Sequence, residues 1–85
     1  MYGDRPKYLI VESASGCILP IVFHNILDHI AVAGGLTVLG AGEVHLQGTP
    51  DGTISVSCFG RSVTLGVESR GADDAILIER LLNEE

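Results

Sequence analysis

Residues 43–67, EVHLQGTPDGTISVSCFGRSVTLGV, carry the clearest secondary-structure pattern in the chain. Apolar and polar residues alternate along three consecutive segments of it, 43–47, 53–58 and 62–65. A period of two is typical of a β-strand with one buried and one solvated face. Glycines between the segments favour tight connections. The stretch therefore predicts an antiparallel meander with one apolar and one polar face.

A terminal helix is predicted over residues 71–83. Its apolar residues recur at spacings of three and four, as on one face of a helix. They are Ala75, Leu77, Ile78, Leu81 and Leu82. Asp73 and Asp74 fall in the first turn, where the positive end of the helix dipole favours anions. We expect the apolar stripe to cover the apolar face of the meander.

Two strands and a short helix are predicted before the meander. Apolar runs over residues 8–12 and 17–23 favour strands joined by a Ser- and Gly-rich turn. Pro20 cannot donate to a β-ladder, so the second strand should lie at a sheet edge or carry a bulge. Asn25 can cap a helix that ends at Gly34, because glycine tolerates left-handed backbone. Its apolar residues Ile26, Leu27 and Ile30 share one face.

An extended segment over residues 36–39 is followed by Gly40-Ala41-Gly42, which is typical of a bulge or a sharp bend. The run LGAGEVH also resembles the start of a dinucleotide-binding fingerprint, but His45 stands in place of the third glycine. The whole pattern predicts one α+β domain, residues 1–85, in the order ββαβββα. We expect a small antiparallel sheet of about five strands with a C-terminal helix packed on one face.

Composition limits the classes of function. Hydrophobic residues make up 46% of the 85 residues and charged residues 19%, so the chain is too apolar to be disordered. Eleven acidic against five basic residues give a formal charge of -6. A direct nucleic-acid binder normally carries a basic stripe, so we expect no direct contact with nucleic acid.

Targeting signals also give expectations. No apolar segment follows the basic residues near the N-terminus, which argues against a secretory signal. The apolar window 17–39 contains Pro20 and Asp28, and an Asp costs about 3 kcal/mol at the centre of a bilayer. Cys17 and Cys58 are too few for a disulfide-stapled domain and are interpreted as buried thiols. We therefore expect a cytoplasmic protein that does not contact a membrane.

Candidate chemistry is sparse. His24 and Asp28 have the spacing of helical metal ligands, but His29 does not, so core packing is favoured for His29. Cys58 is in phase with Val56 on the apolar face, where burial makes a thiol inert. No common catalytic motif occurs in the sequence. We predict no metal, no other cofactor and no enzymatic activity.

The polar face of the meander is the candidate interaction surface. A polar, Ser- and Thr-rich sheet face with one aromatic side chain can bind a partner, although a merely solvated face has the same pattern. Ile76 falls on the outer flank of the terminal helix, where an exposed Ile favours a partner contact. The candidate residues are Glu43, His45, Gln47, Ser55, Ser57, Phe59, Thr64 and Ile76.

Five segments resemble a group of small, uncharacterised proteins from phages and proteobacteria. They are KYLIVE (7–12), LPIVF (19–23), GRSVTLG (60–66), SR (69–70) and DD (73–74). The group has no established activity, so the resemblance implies no site residues. It implies a phage or bacterial cytosol as the location.

Two functions remain as hypotheses. The first is a non-enzymatic interaction protein, a phage or prophage accessory factor that binds a host macromolecule, a second copy of itself, or both. Strand addition at the edge formed by residues 17–23 would give a homodimer. The alternative is a protein that binds or sequesters a nucleotide-like anion at a dimer interface. It would use backbone N–H groups of residues 34–42 with Arg61 or Arg70.

Overall fold

The computed structural model describes residues 5–84, which form six strands and two helices. The strands are β1 (Lys7–Glu12), β2 (Ile18–Phe23), β3 (Thr37–Gly48), β4 (Ile54–Phe59), β5 (Arg61–Ser62) and β6 (Val67–Glu68). The helices are α1 (His29–Ala33), between β2 and β3, and α2 (Ala72–Asn83), after β6. The first four strands form one antiparallel sheet in the order β2-β1-β3-β4, and β5 pairs with β6 in a separate hairpin. The predicted α+β fold is confirmed.

One face of the sheet is covered by α2. The buried cluster on this side comprises Tyr8, Ile10, Val44, Val56, Ala75 and Ile78. Ile78 is fully buried, and burying such a side chain stabilises the fold by about 1.5–3 kcal/mol. The predicted packing of the terminal helix on the apolar face of β3 and β4 is confirmed. Leu81 departs from the predicted stripe, since it is 49% exposed.

The opposite face of the sheet is covered over only part of its width. Here α1 packs against β1, and the β5–β6 hairpin packs against β3. The buried cluster on this side comprises Leu9, Val11, Phe23, Ala33 and Ala41. β1 is therefore buried on both faces, which explains why its sequence KYLIVE is a continuous apolar run. The second half of β3 and all of β4 keep this face open to solvent.

The glycines before the meander lie inside β3 and do not interrupt it. Ile10 pairs with Gly40 and Val11 with Val38, so Leu39 is an extra residue at a bulge. A Cβ at Gly40 would overlap the carboxylate of Asp74. The strand needs glycine there because α2 approaches its backbone closely.

The third segment of the meander does not join the main sheet. At Gly60, with φ at 80°, the chain leaves β4 and forms the β5–β6 hairpin instead. Leu65 and Val67 of this hairpin region pack on the second cluster. Val63, which the alternation placed on the apolar face, is 79% exposed. That placement is wrong because β5 pairs with β6 and not with β4, and Val63 lies in the turn between β5 and β6.

The first helix is shorter than predicted. It begins at His29 rather than after Asn25, and Asp28 at the N-cap makes no side-chain capping bond. Ile26, Leu27 and Ile30 are exposed, so packing supplies little to stabilise a longer helix. The predicted end is confirmed, since Gly34 is left-handed with φ at 57°.

The two cysteines differ in their surroundings. Cys58 is half-buried and packs against the cluster under α2, as predicted. Cys17 is exposed in the turn before β2, so its predicted burial is wrong. Within residues 5–84, neither helix has the length and apolar character that a membrane crossing requires.

Candidate interaction surface along β4

Six of the eight predicted surface residues lie together on the open face of β3 and β4. The register places Glu43 opposite Phe59, His45 opposite Ser57 and Gln47 opposite Ser55. Glu43 is half-buried and the other five are exposed. Cross-strand neighbours on one face lie about 4.5–5.5 Å apart at their Cβ atoms, so the six side chains form one continuous surface.

The other two predicted residues lie away from this surface. Thr64 is in the turn of the β5–β6 hairpin. Ile76 is on α2, which covers the opposite face of the sheet, and is 49% exposed as predicted. Ile76 and Ser57 nevertheless line one groove of about 330 Å³ beside β4. The edge of β4 therefore connects Ile76 to the polar face.

The groove runs between α2 and the free edge of β4. Its lining residues are Val56, Ser57, Cys58, Gly71, Ala72, Ala75, Ile76 and Glu79. β4 is the last strand of the main sheet, so no strand of that sheet pairs with its outer side. A groove between an edge strand and a helix is the geometry in which extended peptides add to a sheet.

One end of the β4 edge is closed by Asn83. The N–H of Ile54 donates to Asn83 Oδ1 at 2.8 Å, and Asn83 Nδ2 donates to the Ile54 carbonyl at 3.0 Å. Asn83 thus occupies the place that a neighbouring strand would take. Because main-chain groups alternate between the two sides of an antiparallel strand, those of Val56 and Cys58 also point outward.

The other end of the edge is closed by the chain leaving β6. The carbonyl of Gly60 accepts a hydrogen bond from the N–H of Ser69 at 2.9 Å. Between the two closures, no group within residues 5–84 bonds the outward main-chain atoms of Val56 and Cys58. The open part of the edge is therefore centred on Ser57.

The β2 edge is less suited to strand addition. β2 pairs only with β1, so its predicted position at a sheet edge is confirmed. Main-chain groups alternate between the two sides of every strand in the sheet. Given the pairing registers of β3 with β1 and of β1 with β2, the main-chain groups of Ile18, Pro20 and Val22 point away from β1. Pro20 offers no N–H at the centre of this edge, which is a common way to prevent strand pairing.

A buried polar network fixes α2, and with it one wall of the groove. The Tyr8 hydroxyl donates to Asp74 Oδ2 at 2.5 Å and lies 2.7 Å from Ser69 Oγ. Arg70 Nε donates to Asp74 Oδ1 at 2.7 Å, and the Arg70 N–H donates to Oδ2 at 2.9 Å. Asp74 lies in the first turn of α2, as predicted, and is fully buried there. The only sequence signal that Asp74 would accept hydrogen bonds in this network was its spacing of four from Arg70.

Cys58 is poorly suited to nucleophilic chemistry. Burial, with a smaller effect of the Asp74 charge, raises the pKa of the Cys58 thiol to about 12. Burial and the bond to Asp74 also raise the pKa of Tyr8 well above its usual 10.0. Both groups therefore keep their protons at neutral pH, and the interpretation of Cys58 as a packing residue stands on its geometry and its pKa.

Alkaline pH is expected to destabilise the fold. The folded chain retains the Cys58 proton up to about pH 12, whereas the unfolded chain releases it near 9.0. A raised folded-state pKa gives stability that is complete below the unfolded pKa and is lost as pH rises through this window. Urea unfolding between about pH 8 and about pH 11 measures the loss. Cys58→Ala should reduce this dependence most clearly below about pH 10, where Tyr8 does not yet contribute, and an unchanged slope there would contradict the prediction.

The histidines of the candidate metal set make separate contacts in the structure. His29 is buried, its Nε2 lies 2.9 Å from the Gly42 carbonyl, and its ring packs edge-on to Phe23. His24 Nδ1 accepts a hydrogen bond from the N–H of Ile26 at 3.2 Å. Among residues 5–84, no three His, Cys, Asp or Glu side chains are grouped as metal ligands would be.

The residues named for anion binding are not brought together. Gly40 lies against the carboxylate of Asp74, which would repel an anion. Arg70 is paired with that same carboxylate. Arg61 lines a different open groove of about 390 Å³, where Lys7 is offset by Asp28 and Glu43. This geometry gives the small-ligand hypothesis no concentrated positive charge.

The comparisons with known proteins add no relative. The chain matches no family model, no curated protein and no solved structure.

Proposed function

We propose that this chain is a non-enzymatic interaction protein that binds a protein partner by strand addition at β4. The open main-chain edge at Val56 and Cys58, beside the groove under α2, is the observation that carries this proposal. Two partner residues in extended conformation would supply the donors and acceptors that these two residues lack. A cytoplasmic location and a phage or bacterial accessory role stay predictions, the latter from the resemblance.

The groove supplies apolar contact beside these main-chain groups. Ala75 and Val56 form its buried side, and Ile76 exposes almost half of its surface. Glu79 adds a negative charge to the lining. The exposed Phe59 and Ser57 extend the contact onto the polar face of the sheet. Main-chain bonds give such an interface its affinity, and side-chain contacts on either side give it specificity.

The test removes one outward N–H and leaves the rest of the ladder in place. Cys58→Pro removes an N–H that points away from β3, and Cys58→Ala retains that N–H while removing the same thiol. Capture of partners from a bacterial lysate is expected to be at least about tenfold weaker for the proline variant than for the alanine variant, as about 1.4 kcal/mol of binding energy is lost. Circular dichroism establishes that both variants fold.

A second pair of variants tests the groove without changing the sheet. Ile76 and Leu81 are both 49% exposed on α2, but only Ile76 lines the groove. Ile76→Glu should reduce capture of the same partner, and Leu81→Glu should not. If all four variants show equal capture and also the same oligomeric state by light scattering, the β4 edge is not the binding site.

A further inference from the structure

The open segment of β4 is symmetric about Ser57. Val56 and Cys58 each direct one N–H and one carbonyl outward, one on either side of this serine. Beyond them, Ile54 is closed by Asn83 and the carbonyl of Gly60 is closed by Ser69. The two closures lie three residues from Ser57 in opposite directions along the chain.

We infer that the partner at this edge is a second copy of the chain, paired antiparallel through β4 about a two-fold axis at Ser57. This inference rests on the proposed function and names its partner. In that register Val56 lies opposite the partner's Cys58, and a pair of hydrogen bonds forms at each of the two symmetric positions. All of the open main-chain groups are then used in both copies.

The closures favour a second copy over a long unrelated strand. A longer incoming strand would collide with Asn83 at one end, because the Asn83 side chain already occupies the edge beside Ile54. In the symmetric register, Ile54 lies opposite the partner's Gly60, and each of these already has a partner within its own chain. Each copy leaves the sheet at its own Gly60, where φ is 80°. The partner's strand therefore ends opposite Ile54, before it would reach the Asn83 side chain.

The side chains beside the axis are also suited to this pairing. Ile76, 49% exposed on α2, lies in the groove beside the open edge and would meet its symmetry mate on that side of the sheet. On the other side, the exposed Phe59 lies opposite the partner's Ser55. Each copy carries a charge of -6, so association should strengthen when salt screens the repulsion.

Engineered disulfides test the register. In a background of Cys17→Ser and Cys58→Ala, Ser57→Cys places two thiols directly opposite each other at a non-hydrogen-bonded pair. Their Cα atoms would be about 4.5 Å apart, within the range of about 4.4–6.8 Å that a disulfide spans. Ser55→Cys is the matched control, because in this register two copies of residue 55 are separated by about four residues along the strands, or about 13 Å.

Ser57→Cys is expected to form the covalent dimer at least about tenfold faster than Ser55→Cys under mild oxidation, a difference of about 1.4 kcal/mol in barrier. Equal rates would indicate random collision and overturn the inference. Light scattering without oxidation is the non-covalent readout. It should show a dimer for the native sequence and for Cys58→Ala, and a shift to monomer for Cys58→Pro. The same state for both Cys58 variants, monomer or dimer, would overturn the inference.

The two proposals fail in different ways. If the chain is monomeric and Ser57→Cys does not cross-link, while Cys58→Pro still loses a captured protein that Cys58→Ala retains, the second copy is wrong and strand addition at β4 stands. If capture is also the same for both Cys58 variants, both proposals are wrong. If cross-linking is specific to position 57 and Cys58→Pro is monomeric, both are supported.

Discussion

Replacing Asp74 by alanine should lower the free energy of unfolding by about 2–4 kcal/mol, the combined loss of its hydrogen bonds to the buried Tyr8 hydroxyl and to Arg70, whose side chain is 39% exposed. The Asp74 carboxylate is fully buried and accepts hydrogen bonds from the Tyr8 hydroxyl and from two groups of Arg70. Without it, the Tyr8 hydroxyl and the Arg70 N–H lose a charged acceptor in surroundings where water replaces it poorly. Urea unfolding followed by circular dichroism measures the loss.

Asp73 provides the matched control for this substitution. It is the same residue type in the same helical turn but is exposed, so Asp73→Ala should change the unfolding free energy by no more than about 0.5 kcal/mol. Tyr8→Phe removes only one of the donors and should cost about 1–3 kcal/mol. Similar small losses for Asp74→Ala and Asp73→Ala would show that the network does not stabilise the fold.

The network matters for the candidate surface because of where it lies. It joins β1, in the centre of the sheet, to the first turn of α2. The groove beside β4 is lined by residues of this turn and the next, Ala72, Ala75 and Ile76. At the far end of the helix, Asn83 bonds the start of β4. α2 is therefore fixed at both ends, and this fixes the groove between the helix and the strand.

Much of the architecture could be predicted from the sequence because its signals are local. Alternation along residues 43–47 and 53–58 indicated β4, part of β3 and the face that each side chain occupies. The spacing of Ala75 and Ile78 indicated the helix and its buried side. Residues 62–65 alternate in the same way, yet they form a hairpin over the other face. Alternation does not say which strand a segment pairs with, and the turn at Gly60 decides that.

The sequence predicts which side chains of β3 and β4 share the open face of the sheet. It does not predict which part of the β4 edge stays unpaired. Once β3 and β4 pair, their period of two sets His45 and Ser57 side by side. That Asn83 would close the edge at Ile54 depends on contact between residues far apart in the sequence. The burial of Asp74 was hidden for a similar reason, since an acid in the first turn of a helix already has an adequate explanation in the helix dipole.

Gly40→Ala is expected to cost about 3 kcal/mol, near the upper range for adding a methyl group to a packed site. The new Cβ would overlap the Asp74 carboxylate, which is held by three hydrogen bonds and has little freedom to move. Gly48, also in β3, has open space within 4 Å of the position that a Cβ would take, and its backbone is suited to any residue. Gly48→Ala should therefore change the unfolding free energy by no more than about 0.5 kcal/mol.

Combining Gly40→Ala with Asp74→Ala separates this steric cause from a general effect on the strand. If the methyl group is costly because the carboxylate is in its way, removing the carboxylate leaves room for it. The double variant should then lose less stability than the two single losses added together, by about 1–3 kcal/mol. Strictly additive losses would mean that Gly40 is needed for a property of the β3 backbone, such as the neighbouring bulge at Leu39, and not for the approach of α2.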